Sequence, residues 1–226
     1  MKPAFVVFAA GLGLLVPVEA KADRSKVQHF VQSVRTVVAD LEKTEYQHRT
    51  EIDEGAKTYL CDCSGFLGYL LKRDFPRSYE SLKGDEAPWR KRPLAVTFHE
   101  TIVRSGVEKV PGWSRVDKMT DLRPGDVIAW RKAKVVRGTS TGHVLLVVKN
   151  LGFDPDGRLR VRVIDSTSRI HADDTRPKAT DGVGEGTMWF ALGEDDEPIA
   201  YYVDAGGKPG KSSLIAIGRL EDQSAD

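Results

Sequence analysis

Cys63 stands directly after Asp62, at the head of a segment in which Phe66, Leu67, Leu70 and Leu71 recur at helical steps. The spacing predicts a helix over residues 63–73 capped by Asp62, which puts Cys63 in its first turn. Unpaired amides and the positive end of the helix dipole favour a thiolate there, so Cys63 is a candidate nucleophile. A thiolate that attacks a carbonyl also needs a group to protonate the departing atom, and histidine is the usual one. Of His29, His48, His99, His143 and His171, His143 is the best placed. It opens the apolar run Val144 to Val148, a predicted buried strand in which a polar ring is costly without a partner. Asp165 ends the next predicted strand on the face that carries Val161 and Val163, and can orient His143 by accepting its second ring proton. Taken singly, a buried cysteine, a strand-end histidine and a turn-side aspartate have commoner structural roles. One site explains all three.

Periodicity outlines the elements that must hold these residues. Val27, Phe30, Val31, Val34, Val37, Val38 and Leu41 predict an amphipathic helix over residues 25–44. The polar stretch 44–59 reads as a loop, and 74–93, with Pro76, Gly84, Pro88 and Pro93, as a long surface loop before a helix over 95–104. Pro124-Gly125 turns the chain into a strand over 126–130, and a basic, then small-residue loop follows to Gly142. Asp154-Pro155-Asp156-Gly157 is a strong turn, so residues 159–165 should return antiparallel to the His143 strand. Leu159, Val161, Val163 and Asp165 would then share a dry face, and Arg158, Arg160 and Arg162 a wet one. Residues 166–187 read as a long polar loop, followed by short strands at 188–192, 199–203 and 214–217. The expected fold class is α+β, a helix carrying the cysteine packed on an antiparallel sheet.

The chain has 226 residues, with 34 Lys and Arg against 33 Asp and Glu, so no net field draws it to nucleic acid or anionic membrane. Lys2, the apolar run Ala4 to Val16 and Ala20-Lys21-Ala22 have the pattern of a signal peptide over residues 1–22, leaving one domain over 23–226. No later run is long enough to span a membrane. Export to a periplasm or to the outside of the cell is expected, and no cysteine precedes Cys61 to carry a lipid. Cys61 and Cys63 are too close for a useful structural disulfide, and Cys-x-Cys alone falls short of the four ligands of a zinc site.

Asp62-Cys63-Ser64-Gly65-Phe66, Leu122-Arg123-Pro124-Gly125-Asp126-Val127-Ile128-Ala129-Trp130, Gly142-His143-Val144 and Val163-Ile164-Asp165-Ser166 together resemble the NlpC family of papain-like cysteine peptidases. The likeness covers about Tyr46 to Ser168, with 80 residues from Cys63 to His143 and 22 from there to Asp165. It implies a papain-like fold and a bacterial cell-wall hydrolase that cuts amide bonds in peptidoglycan stem peptides, commonly next to D-glutamate and diaminopimelate. Cys63 would be the nucleophile, His143 the general base and acid, and Asp165 the third residue, a place the family usually fills with His, Asn or Gln. Tyr46 and Ser64 are the expected substrate-binding residues, although neither Tyr46 nor Tyr59 lies in the family's Tyr-Gly-Gly context. No metal or organic cofactor is implied, and the expected partner is peptidoglycan or a peptide. The alternatives are a papain-like acyltransferase or amide-exchange enzyme, and a non-catalytic wall-binding protein on this fold.

Overall fold

The computed structural model describes residues 18–178, 180–210 and 213–221. Helix α1 spans Val18–Ala39 and buries Phe30, Val31, Val34 and Val38 along one stripe, the period that the sequence carries. It begins before residue 25 and stops short of 44. The expected leader lies outside the described residues up to residue 17, and its last five positions form the start of α1.

The expected loop at 44–59 is instead a small three-stranded sheet. Its strands β1 (Lys43–Glu45), β2 (Glu51–Asp53) and β3 (Thr58–Leu60) lie in the order β1-β3-β2, with β1 parallel to β3 and β2 antiparallel to it. Polar strands of three residues leave no readable alternation, so the sequence hides them.

Helix α2, Cys63–Asp74, follows at once. Asp62 adopts an extended backbone and accepts a hydrogen bond from the Gly65 amide at 2.7 Å, the expected cap. Phe66, Leu67, Leu70 and Leu71 are all buried and face the central strands, each side chain contributing roughly 1.5–3 kcal/mol. The supposed long loop at 74–93 contains helix α3, Pro76–Asp85, with Pro76 in the first helical turn, where its missing N–H costs nothing. Helix α4 covers Ala95–Ser105.

The main sheet has seven strands, every neighbouring pair antiparallel. They are β4 (Trp113–Val116), β5 (Val127–Lys132), β6 (Gly142–Phe153), β7 (Leu159–Thr167), β8 (Gly182–Leu192), β9 (Pro198–Tyr202) and β10 (Ser213–Leu220). Their order is β4-β10-β5-β6-β7-β8-β9. The Asp154–Gly157 turn joins β6 and β7 in the expected hairpin. The supposed loop at 166–187 is shorter at both ends, because β7 runs to Thr167 and β8 starts at Gly182. Helices α2 and α4 cover one face of this sheet, where Val144, Leu146 and Ile164 join their core. On the other face Leu145, Val147, Leu159, Val161, Val163, Met188 and Phe190 form a second core. The sheet rolls around it, bringing edge strand β9 back against β10. The architecture is therefore α+β, helices on an antiparallel sheet.

The arginine row, Arg158, Arg160 and Arg162, is half-exposed opposite the buried Leu159, Val161 and Val163, and two of its members are held by partners. Arg162 is held by Glu185 at 2.7 Å and by the Asp173 carbonyl, and Arg158 by Asp154.

Candidate active site

Two strands and one helix start bring Cys63, His143 and Asp165 together. Cys63 is buried in the first turn of α2, with its thiol close enough to the His143 ring for the two to interact electrostatically. The other side of that ring meets Asp165: His143 Nε2 lies 2.6 Å from Oδ2. Burial alone would raise the Asp165 carboxyl, yet His171 and His143 hold it far below the usual carboxylate range. An ionised carboxylate only accepts, so Nε2 of His143 carries a hydrogen and Nδ1 is left for Cys63. Burial opposes charge on His143, but the charges of Cys63 and Asp165 outweigh it and lift its pKa well above the ordinary value. The arrangement favours a protonated His143 ring beside Cys63.

Gly142 sets the aim of His143. Its φ is +151°, and a Cβ at this position would come within 1.9 Å of the Trp130 carbonyl oxygen. Only glycine lets β6 press so close to β5 immediately before the histidine. Trp130, opposite His143 in the ladder, then packs its ring against the imidazole with centroids 4.9 Å apart, and stacks on Tyr201 at 4.2 Å.

The sequence favours His143 over His171, and the structure places His171 at the centre as well. His171 is 6% exposed, and its Nε2 lies 2.9 Å from the same Asp165 oxygen that His143 uses. Arg176, equally buried, approaches Oδ1 at 3.5 Å while gripping Asp174 at 2.6 Å. Strand β8 makes room for this loop. A side chain at Gly186 would strike the His171 Cβ at 2.5 Å, and one at Gly184 would strike Arg176. Glycines inside a strand signal a close approach of that kind, and the pair at 184 and 186 was the clue in the sequence.

Tyr46 lies where two cavities meet, its amide anchored on Asp181 at 3.0 Å. Burial, then the charges on Cys63 and Asp62, push its hydroxyl well above the usual value, so it stays a donor. Ser64 is brought beside Cys63, but it is 3% exposed and its hydroxyl is engaged within the protein. It donates to Asp62 at 3.1 Å and accepts from Arg92 at 2.7 Å. Arg92, absent from the sequence reading, also pairs with Asp62 at 2.7 Å and binds the His48 carbonyl, tying the segment before α4 to the start of α2. Cys61 is a free, fully buried thiol that burial, aided by Asp62, pushes up to about 12.

The first cavity, about 690 Å³, lies on the His143 side, lined by Trp130, Met188, Tyr201 and His171. The second, about 260 Å³, lies on the Cys63 side, lined by Arg92, Leu94, Ala95 and residues 138–142. Among the described residues no group of three or more His, Cys, Asp or Glu is arranged to hold a metal ion. Nor is any described helix long and apolar enough to cross a membrane.

An uncharacterized protein of Acanthamoeba polyphaga mimivirus is 29% identical to this chain over 215 residues, covering 79% of the chain and 88% of the relative. No protein-family model matches the chain, and no solved structure does.

Proposed function

We propose that the chain is an exported cysteine amidase of NlpC type that cuts amide bonds in peptidoglycan stem peptides. The observation that carries this reading is the chain of contacts from the Cys63 thiol through the His143 ring to the buried Asp165 carboxylate. The helix that bears the nucleophile, packed on an antiparallel sheet that bears the other two residues on consecutive strands, supports a papain-like arrangement. The wall substrate and export rest on the sequence resemblance and on the leader pattern of residues 1–22.

The Cys63 thiolate attacks the amide carbonyl carbon, and the C–O pair moves onto oxygen. The Cys63 amide at the helix start is positioned to donate to that oxyanion. As the tetrahedral adduct collapses, the C–N bond breaks and the imidazolium of His143 gives its Nδ1 proton to the departing nitrogen. Neutral His143 then takes a proton from water, whose oxygen attacks the thioester and frees Cys63. Asp165 holds the ring in one tautomer throughout.

The test is mass spectrometry of soluble products from purified peptidoglycan treated with the protein or with Cys63→Ala, under a thiol reductant. New stem-peptide fragments from the unaltered protein alone are expected, and identical digests would overturn the reading.

A further inference from the structure

The larger cavity has a composition that a general amide hydrolase does not require. Three cations stand on it, Lys132, Arg169 and Lys208, and none makes an ion pair or side-chain hydrogen bond among the described residues. No Asp or Glu lines it. The carboxylate behind the histidines, Asp165, is fully buried, its charge met by His143, His171 and Arg176. Elsewhere arginines near the site are matched: Arg131 by Glu100, Arg162 by Glu185, Arg92 by Asp62. Unmatched cations converging on a concave surface make a local positive field that selects anions.

The side on which the cavity lies says which part of a substrate meets that field. His143 must reach the departing nitrogen to protonate it, so the leaving group extends from Cys63 toward His143 and into this cavity. The acyl part then faces the smaller cavity, whose one arginine is already occupied. Half-buried Tyr201, stacked on the buried Trp130, supplies apolar surface to the same cavity.

Resting on the cysteine amidase reading, we propose that this cavity is a leaving-group subsite selective for an amine whose own residue, or the next, bears a free carboxylate. The carboxylate meets Lys132, Arg169 and Lys208 while the body of the residue lies against Tyr201. Peptides amidated at that carboxylate are poor substrates.

Aromatic disulfides test this directly, because thiolate attack on the S–S bond forms a mixed disulfide with Cys63 and expels an aryl thiolate on the leaving-group side. The full chain carrying Cys61→Ala is treated with 5,5′-dithiobis(2-nitrobenzoate), whose leaving group is a carboxylate-bearing ring, and with neutral 2,2′-dithiodipyridine. Adding Lys132→Ala, Arg169→Ala and Lys208→Ala together should lower the ratio of the two rates at least tenfold, and 0.5 M NaCl should lower it in the parent. The three side chains are exposed, so their loss leaves the fold intact. A ratio that stays within twofold overturns the subsite. Cys63 reacting with the neutral reagent no faster than an unstructured cysteine peptide overturns the amidase reading instead.

Discussion

His143 and His171 bring the same ring nitrogen, Nε2, to the same oxygen of Asp165, at 2.6 and 2.9 Å. Both rings therefore donate to one carboxylate, which fixes the tautomer of each. Asp165 is shared, so what happens at His171 is felt at His143 through two hydrogen bonds, and through His143 at Cys63.

Replacing Asp165 with Asn keeps the shape but removes the charge and half of the accepting capacity. Turnover of peptidoglycan should fall about 10²- to 10⁴-fold, the range for disabling a general base and acid. Activity within threefold of the parent would remove Asp165 from the mechanism.

His171→Leu takes one donor from a buried carboxylate, at about 1–3 kcal/mol of stability. With less competition, Asp165 binds the His143 imidazolium more tightly, so the alkaline limb of kcat/KM moves to higher pH. His171→Gln, whose amide can donate, should return the limb toward its original position. A pH–rate profile that superimposes for all three proteins would reduce His171 to a packing residue.

Gly142→Ala asks β6 for a Cβ inside the Trp130 carbonyl, at a φ that L residues avoid. Denaturant unfolding should show a loss of about 2 kcal/mol or more, with activity falling further as His143 shifts. Full stability in the variant would show that the β5–β6 approach is less constrained than this geometry implies.

His99 supplies a pH signature away from the site. Burial, with Arg131 and Arg115 nearby, lowers its pKa to about 4, and its Nδ1 has no partner among the described residues. The unfolded chain takes up this proton near pH 6.5 and the folded chain only near 4, so stability falls as pH drops through that window. Asp165 acts the same way further into acid: its folded pKa is depressed, so its contribution is present above about pH 4 and lost as pH falls below it. His143 has the opposite sign, its contribution complete below about pH 6.5 and lost as pH rises through its elevated folded value. Urea midpoints of His99→Gln should fall less steeply than the parent's between pH 6.5 and 4. Parallel curves would contradict the assignment.

The parts of the fold legible in the sequence are those where local chemistry and tertiary role coincide. Asp62 caps α2 and its apolar face is continuous, and the Asp154–Gly157 turn dictates the β6–β7 hairpin. Helix α3 was hidden because Pro76 looks like a breaker and buries only Ser78 and Leu82. The start of β8 was hidden because Gly184 and Gly186 carry no side chains to alternate. Their spacing signals that something approaches the strand closely, but only the fold shows that the neighbours they admit are His171 and Arg176. The same limit kept Arg92 out of the sequence reading, since its partner Asp62 lies thirty residues earlier.

By microscopic reversibility, whatever attacks the thioester approaches along the path by which the first amine departed. Water and a second amine compete there, and the 690 Å³ chamber is large enough for either. If the proposed subsite acts as argued, it would concentrate carboxylate-bearing amines over a neutral solvent, and the balance between hydrolysis and chain exchange would become a property of the surrounding solution. The same Cys63 and His143 would cut where such amines are scarce and splice where they are abundant.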